Sequence, residues 1–126
     1  MKIWVNGCFD ILHRGHFELF NYAKSLGEVL VVGVDSDEKV TQDKGPDRPY
    51  NKLEDRVYAL ESLKAIDKVM VFDSKDHLEW LVEITKPDIL VVGSDWKGKE
   101  IVGGQYAKEI LYFDRIGDYS TTDILR

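Results

Sequence analysis

A chain of 126 residues, 44% hydrophobic and 32% charged, is sized and composed for one globular domain with its own core, not for a disordered segment. Its 17 basic and 23 acidic side chains leave a formal charge of −6, which argues against a general nucleic-acid binder. A single cysteine excludes an internal disulfide framework and suits a reducing, cytoplasmic compartment, and no apolar run approaches the roughly 20 residues that a bilayer span needs.

The chain opens on a strand at residues 3–5 rather than on a secretory leader. A polar loop follows, and from 15 to 26 Phe17, Phe20, Ala23 and Leu26 recur at helical spacing until Gly27 stops the pattern. Residues 29–34 read as a fully buried strand. The polar stretch 35–50, with Gly45 and two of the three prolines, reads as a long loop. Asn51 with Glu54 resembles a capping box, opening a helix that carries Leu53, Val57, Leu60 and Leu63 on one face. A strand at 69–72, a helix at 77–85 with Leu78, Leu81 and Val82 inward, and a strand at 89–92 come next. A polar loop from Gly93, a strand at 110–113 and a capping-box signature at Ser120-Thr121-Thr122-Asp123 complete the chain.

This alternation predicts a single α/β domain over residues 1–126. Its expected form is a Rossmann-like parallel sheet of about five strands with helices on both faces and right-handed crossovers. Such sheets bind ligands at the carboxyl ends of their strands. The loops placed there are 6–16, 35–50, 93–104 and 114–119. Arg14, Lys44, Arg48, Arg56 and Arg115 gather in them or in the first helical turns beyond. An acidic protein that concentrates its cations in this way can still bind an anion, because the local field decides.

The loop after the first strand carries the chemistry. His13 and His16, three apart with Gly15 between them, fall in the first turn of a helix, where free N–H groups and the macrodipole favour a phosphate. Two imidazole donors there would clamp a phosphoryl group that gains charge in its transition state. Two other readings stay open: ordinary capping residues, or a metal pair, for which a third ligand is not evident and His77 lies on another helix. Lys44 and Arg48 could equally be solvated, Arg56 could pair along its own helix, and Ser120 could serve only as a cap.

The pattern Gly7-x-Phe9-Asp10-x-x-His13-x-Gly15-His16, together with Ser120-Thr121-Thr122 near the other end, resembles the cytidylyltransferase-like nucleotidyltransferases and spans nearly the whole chain. The resemblance implies an enzyme that joins a nucleoside triphosphate, ATP or CTP, to a small phosphorylated acceptor and releases pyrophosphate. Mg²⁺ would accompany the nucleotide, and a homodimer is implied; neither nucleic acid nor a membrane is an expected partner. His13, His16 and Lys44 would be catalytic. Gly7, Cys8, Phe9, Gly15, Gly93, Asp95, Arg115, Ser120 and Thr121 would contact the nucleotide, and Asp10, Arg48, Arg56 and Trp96 the acceptor. Trp96 could also be a core residue. Cys8 stands where many members have Thr, so a backbone contact would survive there but a hydroxyl contact would not.

Substrate signals point two ways. The run from Asn6 to His13, the stretch Lys44-Gly45-x-x-Arg48-Pro49-x-Asn51-x-Leu53-Glu54-x-Arg56 and Glu100-Ile101-Val102-Gly103 resemble the heptose 1-phosphate adenylyltransferases. Asp95-Trp96-x-Gly98-Lys99, and Arg115 ahead of Ser120, are similar to glycerol-3-phosphate cytidylyltransferase, although Ile116-Gly117-Asp118-Tyr119 departs from its motif. The sugar-phosphate matches are more numerous and include the acceptor side. Two rivals remain: a synthetase-like or coenzyme-adenylating protein that shares the His-x-Gly-His clamp, and a nucleotide-binding module without turnover.

Overall fold

The computed structural model describes residues 1–114; Arg115, Ser120, Thr121 and the helix expected after them lie outside the described residues. The strands are β1 (Lys2–Gly7), β2 (Val29–Asp35), β3 (Lys68–Phe72), β4 (Ile89–Gly93) and β5 (Glu109–Phe113). Between them run α1 (Arg14–Ser25), α2 (Asp37–Lys44), α3 (Leu53–Glu61) and α4 (Lys75–Thr85), with short 3₁₀ turns at Ser94–Trp96 and Gly104–Tyr106. The sheet order is β3-β2-β1-β4-β5 and every pairing is parallel.

Pleating divides the core. Ile3, Val5, Leu30, Val32 and Val34 pack on one face with Phe20 and Ala23 of α1 and Leu60 of α3. Trp4, Val31 and Leu90 pack on the other with Leu78, Leu81 and Val82 of α4. Trp4 is fully buried, and a Cβ on Gly33 would stand 2.7 Å from its ring, so the indole packs against the neighbouring strand only because Gly33 has no side chain.

The winding of the sheet reverses between β1 and β4. There the ladder carries only two pairs, Ile3 with Ile89 and Trp4 with Leu90, whereas β1 stays paired with β2 as far as Gly7 and Val34. The two strands therefore part toward their carboxyl ends. A crevice at this switch point is the expected ligand position in an open parallel sheet.

Two expectations change. Residues 37–44, read as loop, form α2: Ser36 accepts from the Lys39 N–H, Asp37 and Glu38 occupy the first turn, Lys44 the last, and Gly45 closes it at φ 106°. Only Val40 of α2 is buried, so no apolar stripe marked the helix. Asn51 does not cap α3. The cap position is Lys52, without a side-chain bond, and the Leu53 N–H donates to Asp37 Oδ1 at 2.9 Å instead.

Candidate active site

His13 is the N-cap of α1 and His16 its third residue. The Gly15 N–H donates to His13 Nδ1 (3.1 Å) and the His13 N–H donates to His16 Nδ1 (3.2 Å), which makes a capping box of two imidazoles. A ring nitrogen that accepts carries no proton, so in each neutral ring the proton sits on Nε2. The rings stack at 3.9 Å between centroids, and Phe9 meets His16 edge-on at 5.5 Å. Capping, one of the alternatives in the sequence, is therefore present, with both Nδ1 atoms serving the helix; a phosphate clamp would have to use the Nε2 side of the rings.

The Gly15 N–H is committed to His13 and so is not itself a donor for a phosphate. Phe9 is a core residue at φ 49°, packed 5.1 Å from the Phe20 ring; it braces His16 and offers no ring to a nucleotide.

Asp10 and Arg56, expected on the acceptor phosphate, are buried latches. Asp10 accepts from the N–H groups of Tyr50 and Asn51 (2.7 Å each) and from Arg48 Nε (3.0 Å), and Asn51 Nδ2 donates back to its carbonyl. The Arg56 side chain has no exposed surface. It donates to the carbonyls of Asn51, Cys8 and Asp35 and to Asp37 Oδ1, at 2.7–3.0 Å. One guanidinium thereby ties the carboxyl ends of β1 and β2 to the start of α3. A buried charge needs such pairing, and this pairing leaves it no reach toward a ligand.

Burial opposes the Asp10 charge, but the Asn51 and Tyr50 N–H groups and Arg48 outweigh it and hold the carboxyl below its usual range. A depressed folded pKa adds stability above the unfolded value of about 3.9, and that stability is lost as pH falls through the folded value. The stability difference between wild type and Asp10→Asn, read from urea unfolding, should therefore be constant near neutrality and shrink as pH falls below about 4.

At the carboxyl ends of β1 to β4, on the α4 side, lies a cleft of about 400 Å³. Gly7, Cys8, Lys44, Gly93 and Trp96 line it, as does Asn6. Trp96 is 49% exposed at the rim, with Lys99 Nζ 5.8 Å from its ring, so it is a wall and not a core residue. Asp95 is exposed beside Gly93 and does not line the cleft.

Four further charged cleft residues had no place in the sequence reading: Asp35, Lys39, Asp43 and Lys75. Lys39 Nζ contacts Asp43 (2.6 Å) and Asp35 (3.5 Å). Burial works against its ammonium, yet these two carboxylates hold the pKa above the ordinary value. Burial raises the Asp35 pKa despite Lys39. An acid closing an apolar strand, followed four residues on by a lysine, was the signal available for this pair.

Burial likewise pushes the Cys8 thiol up, against the pull of Lys44 and Arg56. Because the thiolate is the nucleophile, Cys8 should react with a maleimide at pH 8 more slowly than a free thiol, and more slowly still when a ligand fills the cleft. A rate equal to that of a small thiol would contradict this placement.

A parallel sheet split at its switch point, a histidine-capped helix after β1 and a cation-bearing cleft at the carboxyl ends of the strands define an α/β protein with a crevice where such sheets bind ligands. The cytidylyltransferase-like family model matches residues 4–126, and the chain belongs to that family. It is 51% identical over 123 residues to the bifunctional protein HldE of Nitratiruptor sp. and 43% identical to that of Helicobacter hepaticus, covering 98% of this chain in both comparisons. It spans about a quarter of the length of these relatives, 26% and 25% respectively. A lipopolysaccharide core biosynthesis protein from Thermoplasma volcanium superposes with a TM-score of 0.72 at 27% identity, covering 95% of this chain and 98% of that one. Pantoate-beta-alanine ligase from Francisella tularensis shares the fold at 18% identity, with a TM-score of 0.62 and coverage of 98% and 67%.

Proposed function

We propose that this chain is a nucleotidylyltransferase that transfers a nucleoside monophosphate from a triphosphate to a sugar 1-phosphate, with heptose 1-phosphate and ATP as the substrates. The observation that carries the reading is the two-histidine capping box at the head of α1, in the loop that leaves the same β1 whose carboxyl end, Asn6 and Gly7, lines the cleft with Lys44; neither histidine lines that cleft. Resemblance of the acceptor-side stretch to the heptose 1-phosphate adenylyltransferases supports the acceptor. The likeness to the Thermoplasma volcanium protein of lipopolysaccharide core biosynthesis agrees with it.

An oxygen of the acceptor phosphate attacks the α-phosphorus of the triphosphate. A new P–O bond forms, the bond from the α-phosphorus to the bridging oxygen breaks, and its electron pair leaves on pyrophosphate. The nucleophile is already anionic, so no general base is needed, and the protein's work is positioning and charge stabilisation. Nε2–H groups of His13 and His16 meet the charge that grows on the α-phosphate. Lys44 at the cleft wall neutralises the approaching acceptor phosphate, and Arg48, held through Nε by Asp10, stands behind it. Ser120 and Thr121 would hold the outer phosphates, and Arg115 would contact the nucleotide, as the family resemblance implies. Mg²⁺ accompanying the triphosphate as part of the substrate would screen the phosphate charge.

No helix among the described residues is long and apolar enough to cross a membrane. Nucleoside triphosphate supply and a reduced Cys8 support a cytoplasmic setting, and the family resemblance supports a homodimer. Pyrophosphate release with Mg²⁺, crossing ATP and CTP against heptose 1-phosphate and glycerol 3-phosphate, tests the reading. Release with ATP and heptose 1-phosphate is expected. Release with CTP and glycerol 3-phosphate alone would replace the substrates, and silence in all four with nucleotide bound would replace the enzyme by a binding module.

A further inference from the structure

The middle of the sheet face that carries Trp4 is apolar, and at its carboxyl edge the face turns polar. On β1, Trp4 is followed one pleat on by Asn6, and on β2 Gly33 is followed by Asp35. Register pairs Asn6 with Gly33, so Asp35 stands one pleat further along the adjacent strand, and both residues line the cleft. The buried Trp4 indole donates through Nε1 to Asn6 Oδ1 at 2.9 Å. An indole N–H can only donate, so its partner must be the amide oxygen. That settles which way the Asn6 amide is turned and leaves its NH₂ without a partner among the described residues.

A cleft made for phosphate alone would carry cations. This one also carries a neutral donor at Asn6 and the carboxylates of Asp35 and Asp43, which share Lys39, Asp43 closely at 2.6 Å and Asp35 at 3.5 Å with lone pairs to spare. A hydroxyl is the group that both accepts and donates, and therefore matches an amide NH₂ beside a carboxylate.

We infer that Asn6, oriented by Trp4, acts with Asp35 to read a hydroxyl of a polyhydroxylated acceptor, giving the cleft its selectivity for a sugar phosphate over a bare phosphate. This deepens the proposed function and rests on it for the assignment of the cleft to the acceptor. Asn6 contacts the substrate; Trp4 is a positioning residue that acts through it.

Calorimetry on the full chain, with a non-reactive ATP analogue present, compares heptose 1-phosphate with inorganic phosphate. Wild type should prefer the sugar phosphate by about tenfold or more, the worth of one good hydrogen bond. Asn6→Asp keeps an acceptor for Trp4 Nε1 but replaces the donor, and Asn6→Leu removes the donor without adding charge. Both should bring the ratio toward one, with the inorganic phosphate affinity of Asn6→Leu unchanged and an unchanged melting temperature of Asn6→Asp reporting an intact fold. Trp4→Phe should lower the ratio by a smaller factor. A wild-type ratio near one, or a ratio unaltered in both Asn6 variants, would overturn the inference. An Asn6-dependent preference with no pyrophosphate release from any triphosphate would instead overturn the functional reading and leave hydroxyl recognition standing.

Discussion

His16→Gln and His13→Ser should fold almost normally and lose about 10²–10³ in the rate of pyrophosphate release, with nucleotide affinity changed by less than about threefold. The substitutions follow from the two jobs that each ring does. Gln at the third helical position and Ser at the N-cap are themselves capping residues, so α1 keeps its start and the stability change should stay near 1 kcal/mol. What disappears is the Nε2–H donor that the proposed mechanism assigns to each ring, whose Nδ1 serves the helix. An interaction made mainly in the transition state lowers turnover and not ground-state affinity. Single-turnover rates, nucleotide titration and urea unfolding on the same preparations separate the two jobs. Equal losses of affinity and rate would make the pair a nucleotide-holding device; an unchanged rate would leave the histidines as caps.

The second large effect is one of stability. Arg56→Met should cost about 3–5 kcal/mol, because it strands Asp37 and three carbonyls that now receive hydrogen bonds from one buried guanidinium. Arg56→Lys keeps the charge but not the planar fork, and should recover only a minor part. Urea midpoints would report both. If Arg56 served the acceptor phosphate, as the family resemblance implies, the stability loss would stay below about 1 kcal/mol and the acceptor KM would rise instead. Burial decides between these outcomes: a side chain with no exposed surface and four internal hydrogen bonds is a structural latch first.

Arg56 also shows where sequence reasoning ends. Its place in a motif and its charge suggested a ligand contact, but the acceptors it meets come from residues 5 to 48 positions away. Asp10 is the same case, reaching to Tyr50 and Asn51 across the first crossover. A one-dimensional pattern records residue type and spacing, and neither reports whether a charged group is satisfied by the protein itself. α2 was missed for a related reason. Its cap, first-turn acids and closing glycine were all present, but a helix that buries only Val40 lacks the apolar period on which the reading relied.

Strand and helix alternation, the parallel sheet, the cleft at its carboxyl edge and the place of the histidine pair at the head of α1 were all determined by the sequence alone. Each depends on local periodicity, on turn and cap chemistry or on a contiguous motif. The tertiary structure decided what depends on distant partners: the two Nδ1 caps that set the imidazole tautomers, the inward turn of Asp10 and Arg56, the exposure of Trp96 and the orientation of Asn6 by Trp4. Burial and hydrogen-bond direction arise only when strands from separate parts of the chain are brought side by side, and those two quantities divide the residues that hold this site from the residues that use it.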